Sequence, residues 1–132
     1  RAQLLAPKLE QFPDLQLILD HCGVDRNRDD CEQQFEQVLA LARYPNLALK
    51  WCHAPTQFSN TEPYPFPTAV AHLRKALGAF TPQRVMWASD HTQSKVHHSW
   101  AEALFSIRDC AEISDAEKEW LLGKTVRTLL RW

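Results

Sequence analysis

Leu15-Gln16-Leu17-Ile18-Leu19-Asp20-His21-Cys22-Gly23 decides how this chain is read. Four aliphatic side chains fall within five positions, and the run ends abruptly in Asp20, His21 and a glycine. A short apolar stretch bounded by polar and turn residues predicts a buried strand. Two further stretches read the same way: Leu47-Ala48-Leu49-Lys50-Trp51 and Arg84-Val85-Met86-Trp87-Ala88-Ser89. The strand starts at 15, 47 and 84 lie 32 and 37 residues apart, room for one helix in each interval.

Helical periodicity fills those intervals. Cys31, Phe35, Val38, Leu39 and Ala42 put one apolar face on 31–43, with Asp29 and Asp30 placed to cap its start and Tyr44-Pro45-Asn46 to stop it. Val70, Leu73, Leu77 and Phe80 mark a second helix, and Trp100, Leu104, Ile107 and Ala111 a third. Ser114 followed by Glu117 predicts a capping box opening a last helix through Leu122, Val126, Leu129 and Leu130. A short helix over Leu5 to Phe12 precedes the first strand, and 60–67, with three of the eight prolines, reads as irregular loop. Strands alternating with helices predict parallel strands joined by crossovers. The 132 residues are about half of the roughly 250 of a β/α barrel, and three strands fall short of its eight. An isolated three-stranded sheet leaves long unpaired edges. The chain therefore reads as the tail of something larger.

Composition narrows the function. Fifteen basic against sixteen acidic residues give a net charge of −1, leaving no basic surplus for nucleic-acid phosphates. Hydrophobic residues at 45% and charged residues at 23% exclude a disordered chain. No apolar run approaches the roughly 20 residues of a membrane span, and 1–10, mixing charged and apolar residues, is no secretory signal. Cys22, Cys31, Cys52 and Cys110 form no CxxC pair, and four scattered cysteines read as reduced thiols in the cytoplasm. There is no Gly-rich phosphate loop and no GxSxG elbow.

In parallel α/β folds chemistry sits where strands end, at the carboxyl edge of the sheet. Here each of the three expected strands brings ionisable groups to that edge: Asp20 and His21 on the first, Lys50 and His53 on the second, Asp90 and His91 on the third. His21 is suited to moving a proton near neutral pH or ligating a metal. Asp90 follows a buried strand and needs a partner, since burying an unpaired charge is costly; the next helix is expected only near Ser99, which argues against a helix cap. Lys50, Trp51 and His53 are candidates for lining a pocket, whereas His72, His97 and His98 read as surface histidines. A catalytic zinc needs three protein ligands, and no compact set of them is visible.

Leu17 to Gly23, then Pro45 to Lys50, then Arg84 to Asp90 resemble the C-terminal half of the amidohydrolase-related TIM-barrel proteins, and 121–132 is similar to that family's terminal helix. The resemblance spans nearly all of 1–132, read as the C-terminal part of one barrel domain. It implies an α/β fold of the (β/α)8 type, with these strands as the sixth, seventh and eighth. It implies a hydrolase acting on a small carboxylated or lactone or amide substrate, with His21 polarising the substrate and Asp90 as general base or metal ligand, and Lys50, Trp51 and His53 as substrate contacts. A decarboxylase of the same superfamily is the alternative. A divalent metal such as zinc is implied for metal-dependent members, with most ligands outside this chain, since no His-x-His motif and no fifth-strand ligand is present; some lactonases in the family work without metal. His91-Thr92 replaces the Trp-Pro that relatives often carry after the aspartate, and Lys124-Thr125 replaces an Asn-Ala pair. The expected partners are a small-molecule substrate and the missing barrel half or a homo-oligomer, with no nucleic acid and no membrane. Two competing readings are a catalytically incomplete half that needs a partner chain, and a small flavodoxin-like module with an anion near the first strand–helix turn, which Asp25, Asp29 and Asp30 disfavour.

Overall fold

A computed structural model describes residues 4–59 and 61–132. Asn60, the first residue of the expected 60–67 loop, and residues 1–3 lie outside the described residues. The elements are α1 (Ala6–Gln11), β1 (Leu17–Leu19), α2 (Cys31–Ala40), β2 (Leu47–Cys52), α3 (Ala54–Phe58), α4 (Pro67–Phe80), β3 (Val85–Ala88), α5 (His91–Ser94), α6 (Trp100–Arg108), α7 (Asp115–Glu119), a π-helical turn over Trp120–Lys124, and α8 (Thr125–Leu130). Both strand pairs are parallel, in the order β1-β2-β3, with Ile18 beside Ala48 and Lys50 beside Met86. The order never reverses, so this sheet has no switch point of the kind that creates a nucleotide crevice in doubly wound folds. The flavodoxin-like reading fails there.

The main hydrophobic core lies on one face of the sheet. Leu47, Leu49 and Trp51 of β2 and Val85 of β3 join a single hydrophobic core with Phe35 and Val38 of α2, and with Leu73, Leu77 and Phe80 of α4. Phe35 is fully buried and meets the rings of Trp51, Phe58 and His72 edge-on at 5.1–6.1 Å. Because side chains alternate along a strand, Ala48, Lys50 and Cys52 point the other way. On that opposite face Ile18 remains 39% exposed.

Polar side chains fix how helices join strands. Asn46 gives its amide to the carbonyls of Leu9, Phe12 and Leu15, tying off α1 where the chain turns into β1. The Arg84 guanidinium donates to the carbonyls of Ala42, Tyr44 and Leu47, satisfying the turn that ends α2. The Ser114–Glu117 capping box forms as its sequence predicts, and Ser99–Glu102 makes a second one at α6.

Several expectations need correction. The stretch after Cys52 contains α3, whose first turn starts with Ala54-Pro55, where a proline costs no hydrogen bond. A short helix, α5, begins directly after Asp90 rather than near Ser99. His72 and His98 are buried, not superficial. His72 bonds the Thr68 carbonyl and the Glu32 carboxylate at 2.7 and 2.6 Å, holding α4 to α2. Leu122 and Leu130 stay exposed, and the π-helical turn brings Leu121 and Thr125 inward instead.

Candidate functional site

All three strands end in the same local device. His21, His53 and Asp90 each adopt a left-handed backbone, with φ of 52°, 60° and 47°. Residues other than glycine take this conformation seldom, and Asn, Asp and His tolerate it best. It reverses the chain at once, so the carbonyl of each residue closes the next turn: Gly23 N–H bonds Asp20 and Val24 N–H bonds His21, Thr56 and Gln57 bond His53, and Gln93 and Ser94 bond Asp90. The strain is concentrated at the carboxyl edge, where the side chains it redirects come together.

The turn after β1 is stitched to β2 by its cysteines and by Gln57. His21 N–H donates to Cys52 Sγ at 3.3 Å, Cys22 Sγ lies 3.5 Å from the Cys52 carbonyl, and Gln57 Nε2 donates to the carbonyls of His21 and Val24 at 2.8 and 2.9 Å. Burial pushes the Cys52 thiol up to about 11 and the Cys22 thiol well above its usual range, so both act as neutral structural groups. Gly23, at φ +72°, has no room for a Cβ, which would meet Leu19 and Val38 side chains at 2.6 Å.

At the centre stands the Asp90 carboxylate. Its Oδ2 lies 3.2 Å from His21 Nε2 and 3.2 Å from His53 Nδ1. The side chains grade from buried to open: His53 is 5% exposed, Asp90 20% and His21 53%. Asp90 precedes α5 but makes no side-chain cap to it, so its carboxylate is free of that structural duty. The other nitrogen of His53, Nε2, sits 2.5 Å from Arg26 Nη1. A guanidinium only donates, so Nε2 must carry the lone pair and Nδ1 the proton that bonds Asp90. Burial, with the Arg26 charge adding to it, lowers the His53 pKa despite the opposing pull of Asp90. His53 is therefore a neutral imidazole clamped between a cation and an anion.

These groups line one side of a cavity of about 450 Å³, together with Arg26, Gln57 and Gln93. That volume suits a small molecule. A carboxylate with two imidazoles beside it, at the mouth of such a space, can take a proton from water and return it to a leaving group.

Of the sequence candidates, His21, His53 and Asp90 are brought together. Lys50 does not line the cavity: its ammonium pairs with Asp20 on the opposite sheet face, a pairing that raises its pKa. Trp51 does not line the cavity either. It is 2% exposed, lies in the core and stacks on Phe58 at 5.6 Å, because alternation turns it to the helix side when Lys50 faces away from it. Arg26 and Gln93 went unrecognised in the sequence; each lies in the stretch following a strand and carries no motif. For a metal, Asp90 offers one carboxylate. Its Oδ2 is already shared by two imidazoles, and His53 Nε2 is turned to a cation. No three His, Cys, Asp or Glu side chains among the described residues group to hold an ion. The described residues do not by themselves make a complete metal centre.

The family model for amidohydrolases matches residues 3–132. Solved structures share the fold across nearly the whole chain. An amidohydrolase from Burkholderia multivorans with bound zinc superposes with a TM-score of 0.80 at 24% identity, covering 96% of this chain and 48% of that one. A structure of an amidohydrolase from the same organism with bound HEPES gives 0.79 at 23% identity, with coverage of 96% and 48%. A proposed 2-pyrone-4,6-dicarboxylic acid hydrolase from Pseudomonas putida gives 0.74 at 22% identity, covering 97% and 47%. The chain thus spans about half the length of the solved structures it matches. No curated protein matches it in sequence.

Proposed function

Since the chain belongs to the amidohydrolase family and folds as the last β/α units of a TIM barrel, we propose that the complete protein hydrolyses a lactone- or amide-like bond in a small carboxylated molecule. The observation that carries this reading is the convergence of Asp90 with His21 and His53, each 3.2 Å from one carboxylate oxygen at the cavity mouth.

Asp90 takes a proton from water as the water oxygen bonds to the carbonyl carbon; the bond to the leaving oxygen or nitrogen then breaks, and the proton passes to that atom. His53 donates Nδ1–H to Asp90 and fixes the direction of the carboxylate. His21 is half in solvent, so it is the imidazole that polarises the substrate carbonyl. While Nε2–H points at Asp90, its Nδ1 can serve that purpose only when protonated; turned away, Nε2–H itself can face the substrate. The 2-pyrone-4,6-dicarboxylic acid assigned to the Pseudomonas putida protein is an example of the cyclic, acidic substrate class we have in view. The remaining strands of the barrel, from the same polypeptide or a second chain, complete the cavity wall, and a cytoplasmic setting fits four free cysteines.

Asp90→Asn in the complete protein tests the assignment. A general base contributes about 10²–10⁴-fold, so kcat on a lactone substrate falls by that order while the fold is kept. Turnover equal to the wild type removes Asp90 from the chemistry.

A further inference from the structure

We propose that Arg26 anchors a carboxylate of the substrate and thereby selects anionic molecules for this cavity; the inference rests on the hydrolytic reading only for where the reacting carbonyl lies. Arg26 is ordered by neutral acceptors alone: Nη1 sits 2.5 Å from His53 Nε2 and 3.5 Å from Thr56 Oγ1. Its Nε and Nη2 donors have no protein partner among the described residues, and no carboxylate there pairs with it. Nearby acids are engaged elsewhere. Asp30 is held by both arms of Arg28 at 2.9 and 2.7 Å and by Gln34 at 2.7 Å, and Asp25 Oδ1 accepts from Asn27. Of the acidic residues that seemed from sequence to disfavour an anion near this turn, Asp30 is thus neutralised by Arg28, while Asp25 shares the cavity wall with Arg26, the permanent cation there among the described residues.

A guanidinium held in place with one edge open suits a carboxylate, which it binds by two parallel charge-assisted hydrogen bonds. The position also sets the substrate's shape. Arg26 and Asp90 stand on opposite sides of the His53 ring. A carboxylate on Arg26 therefore places the rest of the ligand one imidazole and two hydrogen bonds from the Asp90 oxygen. The fitting substrate is a compact acid whose carboxylate lies only a few bonds from the carbonyl to be attacked.

Binding is read without turnover by calorimetry on the complete protein, with glutarate and its neutral diamide, glutaramide, as probes. Charge-assisted hydrogen bonds of about 1.5–3 kcal/mol correspond to about 10- to 150-fold in affinity. The wild type is expected to favour glutarate by at least about tenfold, Arg26→Gln to lose that preference, and Arg26→Lys to keep part of it as a point charge. Arg26 is exposed, so the fold survives either change. Glutarate that fails to bind the wild type, or binds Arg26→Gln equally well, overturns the proposal. Discrimination in a protein without hydrolytic turnover sinks the hydrolytic reading and keeps this one; turnover without discrimination does the reverse.

Discussion

Asp90 and His21 were visible in the sequence because both stand at the end of an apolar run, where a buried strand reaches the catalytic edge of a parallel fold. Trp51 lies in the core for a reason of register: once Lys50 is placed off the core, its neighbour must point into it. Arg26 lies beyond the β1 turn in a stretch of mixed charge, and only its contact with His53, 27 positions away, marks it. His98 was misread as superficial; it packs edge-on against Phe66 at 5.4 Å with neither ring nitrogen hydrogen-bonded among the described residues. Burial lowers its pKa, as it does for His53. The unfolded chain therefore binds protons as pH falls through the ordinary histidine value, while the folded chain still resists them. Both groups withdraw stability on acidification, beginning near pH 6.5. Urea unfolding between about pH 7.5 and about pH 5.5 should show stability falling, and less steeply in His98→Leu. An identical slope in the variant would mean that His98 titrates normally.

At the scale of elements, strands and long helices were legible because each has a periodicity, and the ends were legible where a capping box announces them. α3 and α5 were not, since each is a single turn started by the left-handed residue before it and owes nothing to periodicity. The turn after β1 depends on Gly23 in the same way. Gly23→Ala combines a left-handed alanine, costing about 1 kcal/mol or more, with overpacking against Leu19 and Val38, typically about 1–3 kcal/mol. A loss of roughly 2–4 kcal/mol in denaturant unfolding is expected, with lower turnover because the turn carries His21. A loss below about 0.5 kcal/mol, the size of an ordinary surface change, would contradict the packing described for this turn.

For the whole molecule, the chain's match to about half of larger barrels agrees with what its sheet lacks. Among the described residues β1 and β3 are both edge strands, each with one side unpaired by another strand, and Ile18 is partly exposed. Sheet edges of this kind recruit partners. The 132-residue chain by itself is therefore expected to associate in light scattering, and a stable monomer at high concentration would count against a need for partner strands.

His21 and Asp90, from separate strands, are proposed to work as one catalytic unit. The direct test is a double-mutant cycle in kcat/KM on the complete protein, combining His21→Ala with Asp90→Asn. Groups that act together lose their effect together, so the double variant should be about as impaired as the worse single variant. Losses that multiply as independent factors, or turnover untouched by either change, would show that the contact between His21 and Asp90 has no part in the reaction.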